Sequence, residues 1–245
     1  MTTTRDAFLG GRVMLEQPAV GYRAATDAVF LAAACPAKPG ESVFDLGVGV
    51  GAASLCVAAR VPGVQLTGLE VQPEYAALAE RNAAFNAASL EVVVGDAARM
   101  PEAVRARSFD HVISNPPFFD PDEGHASDDV GRNMAFRESM DLGAWIDVAI
   151  RRLKPRGTIS LIHRTERLGE MLTALSPRVG AVRILPLQSR TGRPAKRVIL
   201  RGVKGSKAKL ELLAPFTVHA NASHEGDFTD LTEAAMRILD GGEAL

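Results

Sequence analysis

The stretch 42–54, "SVFDLGVGVGAAS", indicates where the central part of the fold begins. Residues 42–47 form a mostly apolar run as long as one buried strand. Glycines lie at the alternate positions Gly47, Gly49 and Gly51. Glycines allow positive φ and let a ligand approach the bare backbone, while the amides that open a following helix can bind its polar groups. We therefore expect a strand, a glycine loop and a helix that together form a binding site.

Four more apolar runs are continuous rather than alternating, as strands covered on both faces tend to be. They lie at 64–70, 90–96, 109–115 and 157–163. Helix-like stretches lie between or after them, at 73–88, 142–154 and 165–175. The alternation of strands with helices predicts an α/β fold with an open parallel sheet and helices on both faces.

The last part of the chain has a different pattern. The strand-like runs 181–188 and 195–204 are separated by the turn-rich "SRTGRP", which predicts a β-hairpin at one edge of the sheet. The sheet then has seven strands, mostly parallel, with one antiparallel edge hairpin. Residues 1–40 are predicted to be an N-terminal extension with a cofactor-covering helix, capped by Thr26 or Asp27, and residues 41–245 a single globular unit.

The composition narrows the classes of function. The chain of 245 residues has a net charge of −1, so overall charge does not indicate a polyanionic partner. Its two cysteines and five histidines lack metal-ligand spacing, so we expect no metal site. The longest apolar run, 28–37, is too short to cross a bilayer, and the first residues lack the apolar core of a signal peptide. We expect a cytoplasmic protein without a membrane partner; the oligomeric state stays open.

A carboxylate at the end of the second strand indicates a nucleoside-containing cofactor. Glu70 lies 23 residues after Gly47, where it can accept hydrogen bonds from ribose hydroxyls. The spacing leaves both NAD and S-adenosylmethionine possible, although Ala52 departs from the GxGxxG pattern and favours a cofactor without a pyrophosphate. Asp96, which ends the third strand, can accept from an adenine amine or cap a helix.

The fourth strand ends in "NPPF" (115–118), and prolines cannot continue a central strand. The two N–H groups of a planar amine need two acceptors, and the Asn115 side-chain oxygen and the Pro116 carbonyl can supply them. The prolines hold these acceptors in place, and Phe118 can stack on a planar base. The alternative interpretation is a proline-rich exit from a strand with buried aromatic residues.

"VISNPPF" matches the motif of amino-methyltransferases among class I S-adenosylmethionine-dependent enzymes. Together with "QPAVGYRAATDAVFLAAA", "LKPRGTISLIHR" and "GRPAKRVILRGVKGS", it resembles the bacterial tRNA1(Val) adenine-37 N6-methyltransferase family, roughly over residues 10–240. The resemblance implies a Rossmann-like class I methyltransferase fold, S-adenosylmethionine as cofactor, and transfer to an exocyclic amino nitrogen, with adenine N6 in tRNA as the acceptor. The alternatives are an rRNA or DNA adenine, a protein glutamine or a small molecule as acceptor, a non-catalytic nucleotide- or RNA-binding module, and a nicotinamide oxidoreductase.

The resemblance also implies roles for individual residues. The cofactor would be bound by Thr26, Asp27, Asp45, Gly47, Gly49, Gly51, Glu70, Asp96, Ala97 and Asn115. The target amine would be bound by Asn115, Pro116, Pro117 and Phe118. Position 118 is Phe where the family often has Tyr, so the stacking face remains and a hydroxyl contact is lost.

Local charge indicates where an RNA could bind. The stretch 183–209 has nine basic residues and no Asp or Glu, which suits a phosphate backbone. The residues predicted to bind RNA are Arg190, Arg193, Lys196, Arg197, Arg201 and Lys204. The alternative is a solvated edge hairpin whose charges prevent aggregation. The acidic stretch 120–129 should repel phosphates.

Overall fold

The computed structural model describes residues 2–117, 140–221 and 230–245. The predicted stacking residue Phe118 and the acidic stretch 120–129 lie outside the described residues. The strands are β1 (Thr3–Phe8), β2 (Val13–Pro18), β3 (Ser42–Leu46), β4 (Gln65–Glu70), β5 (Leu90–Val94), β6 (Phe109–Ser114), β7 (Leu153–Arg164), β8 (Val179–Gln188), β9 (Arg197–Lys204), β10 (Glu211–Leu212) and β11 (Phe216–Thr217). The helices are α1 (Thr26–Ala34), α2 (Ala52–Arg60), α3 (Pro73–Phe85), α4 (Glu102–Arg105), α5 (Leu142–Arg151), α6 (Leu168–Leu175) and α7 (Glu233–Leu239).

The main sheet has the order β10-β8-β9-β7-β6-β3-β4-β5, with β11 also paired to β8. Strands β3 to β7 run parallel, and β9 is antiparallel to both β7 and β8. The mostly parallel sheet with a β8–β9 hairpin is confirmed. Within the described residues the sheet has nine strands where we expected seven, because β10 and β11 add two residues each alongside β8. The hairpin is therefore not the free edge along its whole length.

Apolar residues pack on both faces of this sheet. Successive residues of a strand point to opposite faces, so Val112 and Ile113 of β6 belong to different core clusters. Helices α1, α2 and α7 cover one face, and α5 and α6 cover the other. Helix α1 is apolar over most of its surface and is buried between the sheet and its neighbours, which explains its run of alanines.

An N-terminal β-hairpin, which the sequence did not indicate, forms a separate two-stranded sheet of β1 and β2. It is fixed to α3 by two asparagine side chains. Asn82 accepts from the Glu16 N–H at 2.7 Å and donates to the Glu16 carbonyl at 3.0 Å. Asn86, one helical turn later, bonds the backbone of Met14 in the same way. These side-chain amides form hydrogen bonds with the backbone N–H and C=O groups on the outer edge of β2, as a further strand would. The division of the chain at residue 40 stays a prediction.

Candidate functional site

The glycine loop lies at the carboxyl edge of the sheet, where β3, β4 and β6 end. Gly47, Gly49 and Gly51 have φ values of 81°, 56° and 87°, so each adopts the left-handed conformation that glycine favours. The amides of Gly47 and Val48 both donate to the Leu69 carbonyl at 3.0 Å. The loop is thus bound to the end of β4 before α2 begins.

Behind the loop, Trp145 of α5 connects the ends of two strands. Its indole nitrogen donates to Ser114 Oγ at 3.0 Å, and Ser114 donates to the Leu46 carbonyl at 2.6 Å. A side chain at Gly47 would place its Cβ 3.1 Å from the Trp145 ring. These contacts fix the distance between the loop and Asn115, the residue after Ser114. Sequence reasoning did not identify these contacts, which join residues 31 and 68 positions apart.

Glu70, the predicted ribose ligand, also holds the glycine loop. It is 7% exposed, and its two carboxylate oxygens accept from the amides of Gly49 and Gln72, each at 2.9 Å. Burial raises the pKa of Glu70, and the backbone amides of Gln72, Gly49 and Val71 oppose that rise. A carboxylate has about four acceptor positions, so Glu70 retains capacity for further donors such as ribose hydroxyls.

Asp45 lies below the loop and is 3% exposed. It accepts from Ser54 Oγ at 2.7 Å, and burial raises its pKa to about 7. Asp45, Gly47, Gly49 and Asn115 line one small pocket. The structure therefore brings together four residues that the sequence predicted for the cofactor.

Replacing Asp45 by Asn should flatten the pH dependence of stability. Between pH 4 and pH 7 folded Asp45 holds a proton that the unfolded chain has lost, so its contribution to stability falls as pH rises. Relative to the variant, the natural protein should lose stability on the order of 1–3 kcal/mol across this interval. Urea unfolding of both proteins at several pH values measures this difference, and parallel curves would contradict it.

Asn115 is the least satisfied polar group at the site. Its side-chain oxygen is buried and, among the described residues, has no hydrogen-bond partner. Leaving a buried acceptor unpaired costs about 1–3 kcal/mol, which marks this oxygen as an acceptor for a donor outside the described residues. An N–H of a planar amine fits it, as does any other donor of that size.

His163 lies at the end of β7, the strand next to β6 and the Asn-Pro-Pro segment. It is 1% exposed, and its Nδ1 accepts from the Arg164 N–H at 2.8 Å. Burial lowers the pKa of His163 to about 4, and the charge of Arg167 contributes to that fall. The imidazole is therefore neutral near pH 7, as a structural role requires. Pro116 is buried, and Pro117 is partly exposed.

Two apolar residues at this edge were missed by sequence reasoning. Tyr22 lines the pocket of Asp45 and Asn115, with its ring 4.0 Å from the position of a Cβ on Gly49. Val71, directly after Glu70, is 50% exposed. Val71 directly follows Glu70, the acidic residue that ends β4. An apolar residue in this position could have indicated that a planar ring binds at this edge of the sheet.

The remaining predicted cofactor residues have other local contacts. Asp96 accepts from the Ala98 N–H at 2.8 Å, which forms an Asx turn, and Ala97 is buried beside it. The prediction that Thr26 or Asp27 caps α1 is wrong. The N-cap is Ala25, without a side-chain hydrogen bond, because the helix already begins at Thr26. Asp27 instead accepts from Arg197 at 2.8 Å.

The predicted RNA-binding residues do not form one surface in the structure. Arg193 and Lys196 are exposed in the turn between β8 and β9, at the end of the sheet that carries Asn115. Lys204 is at the other end of β9, roughly 23 Å away at 3.3 Å per residue, and donates to the Leu153 carbonyl at 2.7 Å.

Three further predicted RNA-binding residues are partly buried or paired. Arg190 is 11% exposed and pairs with Asp230 at 2.6 Å. Arg201 is half-buried, which lowers its pKa, and Arg197 pairs with Asp27 as described. The described parts of the chain contain no cluster of three or more potential metal ligands. Within those same residues, no helix has the length and hydropathy that a bilayer crossing needs.

Comparison with known proteins gives consistent results. Residues 23–186 match the family model described as "Methyltransferase small domain". A tRNA1(Val) (adenine(37)-N6)-methyltransferase of Porphyromonas gingivalis is 29% identical over 79% of both chains, and one of Aeromonas hydrophila is 31% identical over 74% of this chain and 76% of its own. A crystal structure from Agrobacterium tumefaciens, titled a predicted O-methyltransferase, superposes with a TM-score of 0.71 at 30% identity, covering 89% of this chain and 98% of that one.

Proposed function

We propose, because the chain belongs to the methyltransferase small domain family and to the family of tRNA1(Val) (adenine(37)-N6)-methyltransferases, that it methylates the exocyclic N6 of an adenine in tRNA. The relatives bear the name of enzymes that act on adenine 37. The observation that carries the proposal is the buried Asn115 oxygen beside the glycine loop, which has no partner within residues 2–117, 140–221 and 230–245.

The residues of the chain can perform this transfer by holding the target amine. When bound, S-adenosylmethionine would supply the methyl group, exchanging the bond between methyl carbon and sulfur for one between methyl carbon and nitrogen. Asn115 Oδ1 accepts one amine hydrogen and the Pro116 carbonyl accepts the other, so that the nitrogen lone pair becomes available. Alignment of the amine on these two acceptors would account for most of the rate. The methylated nitrogen afterwards releases its extra proton to water.

The cofactor residues are assigned by their position around the loop. Glu70 would bind the ribose hydroxyls with the acceptor capacity that Gly49 and Gln72 leave. Asp45, Gly47 and Gly49 would border the methionine part, because they line the pocket with Asn115. Thr26, Asp27, Gly51, Asp96, Ala97 and Phe118 keep their predicted roles as part of the proposal.

The charges at the carboxyl edge of the sheet indicate from which side tRNA approaches. The cofactor side carries Glu70 and Asp96, and the opposite side carries Arg193 and Lys196 in an exposed turn. A phosphate backbone favours the second side.

Replacing both Arg193 and Lys196 by Glu should raise the KM for tRNA by roughly tenfold or more near 0.15 M salt. The affinity for S-adenosylmethionine should not change, because neither residue lines the pocket. The double variant Lys207→Glu with Lys209→Glu makes the same change of net charge at the far end of the hairpin and serves as control. Steady-state kinetics measure the KM for tRNA of both double variants. Equal increases in KM would contradict an RNA-binding surface at this turn.

The function itself is tested by transfer of labelled methyl groups to unmodified tRNA, followed by digestion to nucleosides. We expect the label in N6-methyladenosine. Label in protein, in another nucleoside or in a small molecule would overturn the assignment of the acceptor. If labelled product forms with no acceptor offered, the acceptor assignment fails as well.

A further inference from the structure

Gln17 is a buried polar residue at a position where β2 would otherwise carry an apolar side chain. Alternate residues of β2 point into the core, and at Val13 and Leu15 they are apolar. Gln17 follows in the same alternation and is 1% exposed. Burying an amide is unfavourable unless hydrogen bonds compensate it, so the partners of Gln17 indicate its role.

Both ends of the Gln17 amide have partners, and one of them is the backbone of Ala24. Oε1 accepts from the Ala24 N–H at 2.8 Å, and Nε2 donates to an Asp6 carboxylate oxygen at 2.9 Å. That carboxylate oxygen also pairs with Arg23 at 2.5 Å, so it is held from two sides. Because an N–H needs an acceptor and a carboxylate accepts, only this orientation of the amide satisfies both partners.

The bond to Ala24 fixes one side of the pocket that contains the glycine loop. Ala24 directly precedes the N-cap of α1, and it lines the pocket together with Ala28 and Leu31 of that helix. Tyr22, which lies in the segment that the bond between Gln17 and Ala24 closes, lines the same pocket. The glycine loop lines it as well. The hydrogen bond of Gln17 therefore sets where the segment before α1 lies relative to that loop.

We propose that Gln17 is a positioning residue for the cofactor, because its amide fixes Ala24 and with it the side of the pocket that Tyr22 and α1 form. This inference rests on the proposed function, which puts S-adenosylmethionine in this pocket. It gives the N-terminal hairpin a part in cofactor binding, although none of the described residues of β1 and β2 lines the pocket. The hairpin acts on the cofactor through the backbone of Ala24.

Replacing Gln17 by Met keeps an unbranched side chain of similar length and removes the amide. The affinity for S-adenosylmethionine should fall about three- to tenfold, the equivalent of one hydrogen bond. The kcat at saturating cofactor should stay within twofold, because the contacts around Asn115 do not change. Calorimetric titration and steady-state kinetics measure the two quantities. An unchanged affinity, or a fall in kcat without a loss of affinity, would overturn the inference.

The matched control is Asn86→Ala, which loosens the hairpin at Met14 and leaves the bond between Gln17 and Ala24 in place. Its cofactor affinity should stay within twofold of that of the natural protein. If this variant binds S-adenosylmethionine as weakly as Gln17→Met, general loosening of the hairpin explains both and the inference fails. If Gln17→Met does not fold, Gln17→Asn decides by the same criteria, because its amide is one methylene too short to reach Ala24.

A further measurement depends neither on activity nor on the cofactor. In the ¹⁵N-labelled protein, the backbone N–H of Ala24 should exchange with solvent at least about tenfold faster in Gln17→Met. The Ala28 N–H, which donates to the Ala25 carbonyl at 3.1 Å, should keep its rate. Unchanged exchange at Ala24 would contradict the positioning role. A natural protein that binds S-adenosylmethionine and shows all these effects, but methylates no tRNA, would place the failure in the acceptor of the proposed function and support this inference.

Discussion

Replacing Asn115 by Ala should lower kcat by about 100- to 1000-fold, the usual cost of removing one preorganised polar group that acts on the reacting atoms. The buried oxygen of Asn115 has no partner among the described residues, so its removal should not weaken the fold. The affinity for S-adenosylmethionine should stay within about threefold, because the loop is held by Glu70 and Leu69 rather than by Asn115. Single-turnover transfer and calorimetric titration measure the two quantities.

The matched control is Asn86→Ala, which removes a hydrogen-bonded amide far from the pocket. It should lower stability, because Met14 loses both bonds to the Asn86 side chain, and it should leave kcat unchanged. A large loss of cofactor affinity in Asn115→Ala, with kcat little changed, would show that Asn115 serves the cofactor and not the acceptor.

Replacing Gly47 by Ala should weaken cofactor binding by at least about tenfold and destabilise the protein. A methyl group at this position would lie 3.1 Å from the Trp145 ring, and overpacking costs about 1–3 kcal/mol. The positive φ of 81° adds a further cost of about 1–2 kcal/mol for a residue with a Cβ. The loop can relieve the contact only by moving, which displaces Gly47 and Gly49 in the pocket that they line.

Gly63→Ala is the control for backbone strain alone. Gly63 has a φ of 79°, almost the same as Gly47, and nothing lies within 4 Å of the position of its Cβ. Chemical unfolding and calorimetric titration should show only the strain cost and unchanged cofactor affinity. If both variants behave alike, the contact with Trp145 does not shape the loop.

The parallel strands could be predicted from the sequence because burial on both faces requires continuous apolar runs. β3 to β7 overlap the predicted strands for this reason. β10 and β11 could not be predicted, since two residues carry no periodicity. β1 was not predicted because its sequence, "TTRDAF", is mostly polar. The backbone of its partner β2 forms hydrogen bonds with side chains of α3 rather than with another strand of the main sheet.

The position of the site could be predicted from the topology of the parallel sheet, whereas the contacts within the site could not. Parallel strands end at one edge, so Gly47, Glu70 and Asn115 had to lie near one another. The link from Trp145 through Ser114 to Leu46 joins residues 31 and 68 positions apart, and no local pattern reveals such a link. The basic stretch 183–209 was predicted to bind RNA. Strands spread these residues along their length, so only the turn between β8 and β9 lies at the site.

The Asn82 side chain brings together three segments that are far apart along the chain. Its NH₂ group donates to the Glu16 carbonyl, 66 positions away, and to the Val50 carbonyl of the glycine loop, 32 positions away. Closing such long segments costs chain entropy before any contact forms. One side-chain amide thus holds both the N-terminal hairpin and the glycine loop on α3, so a change that displaces the hairpin should also disturb the cofactor loop.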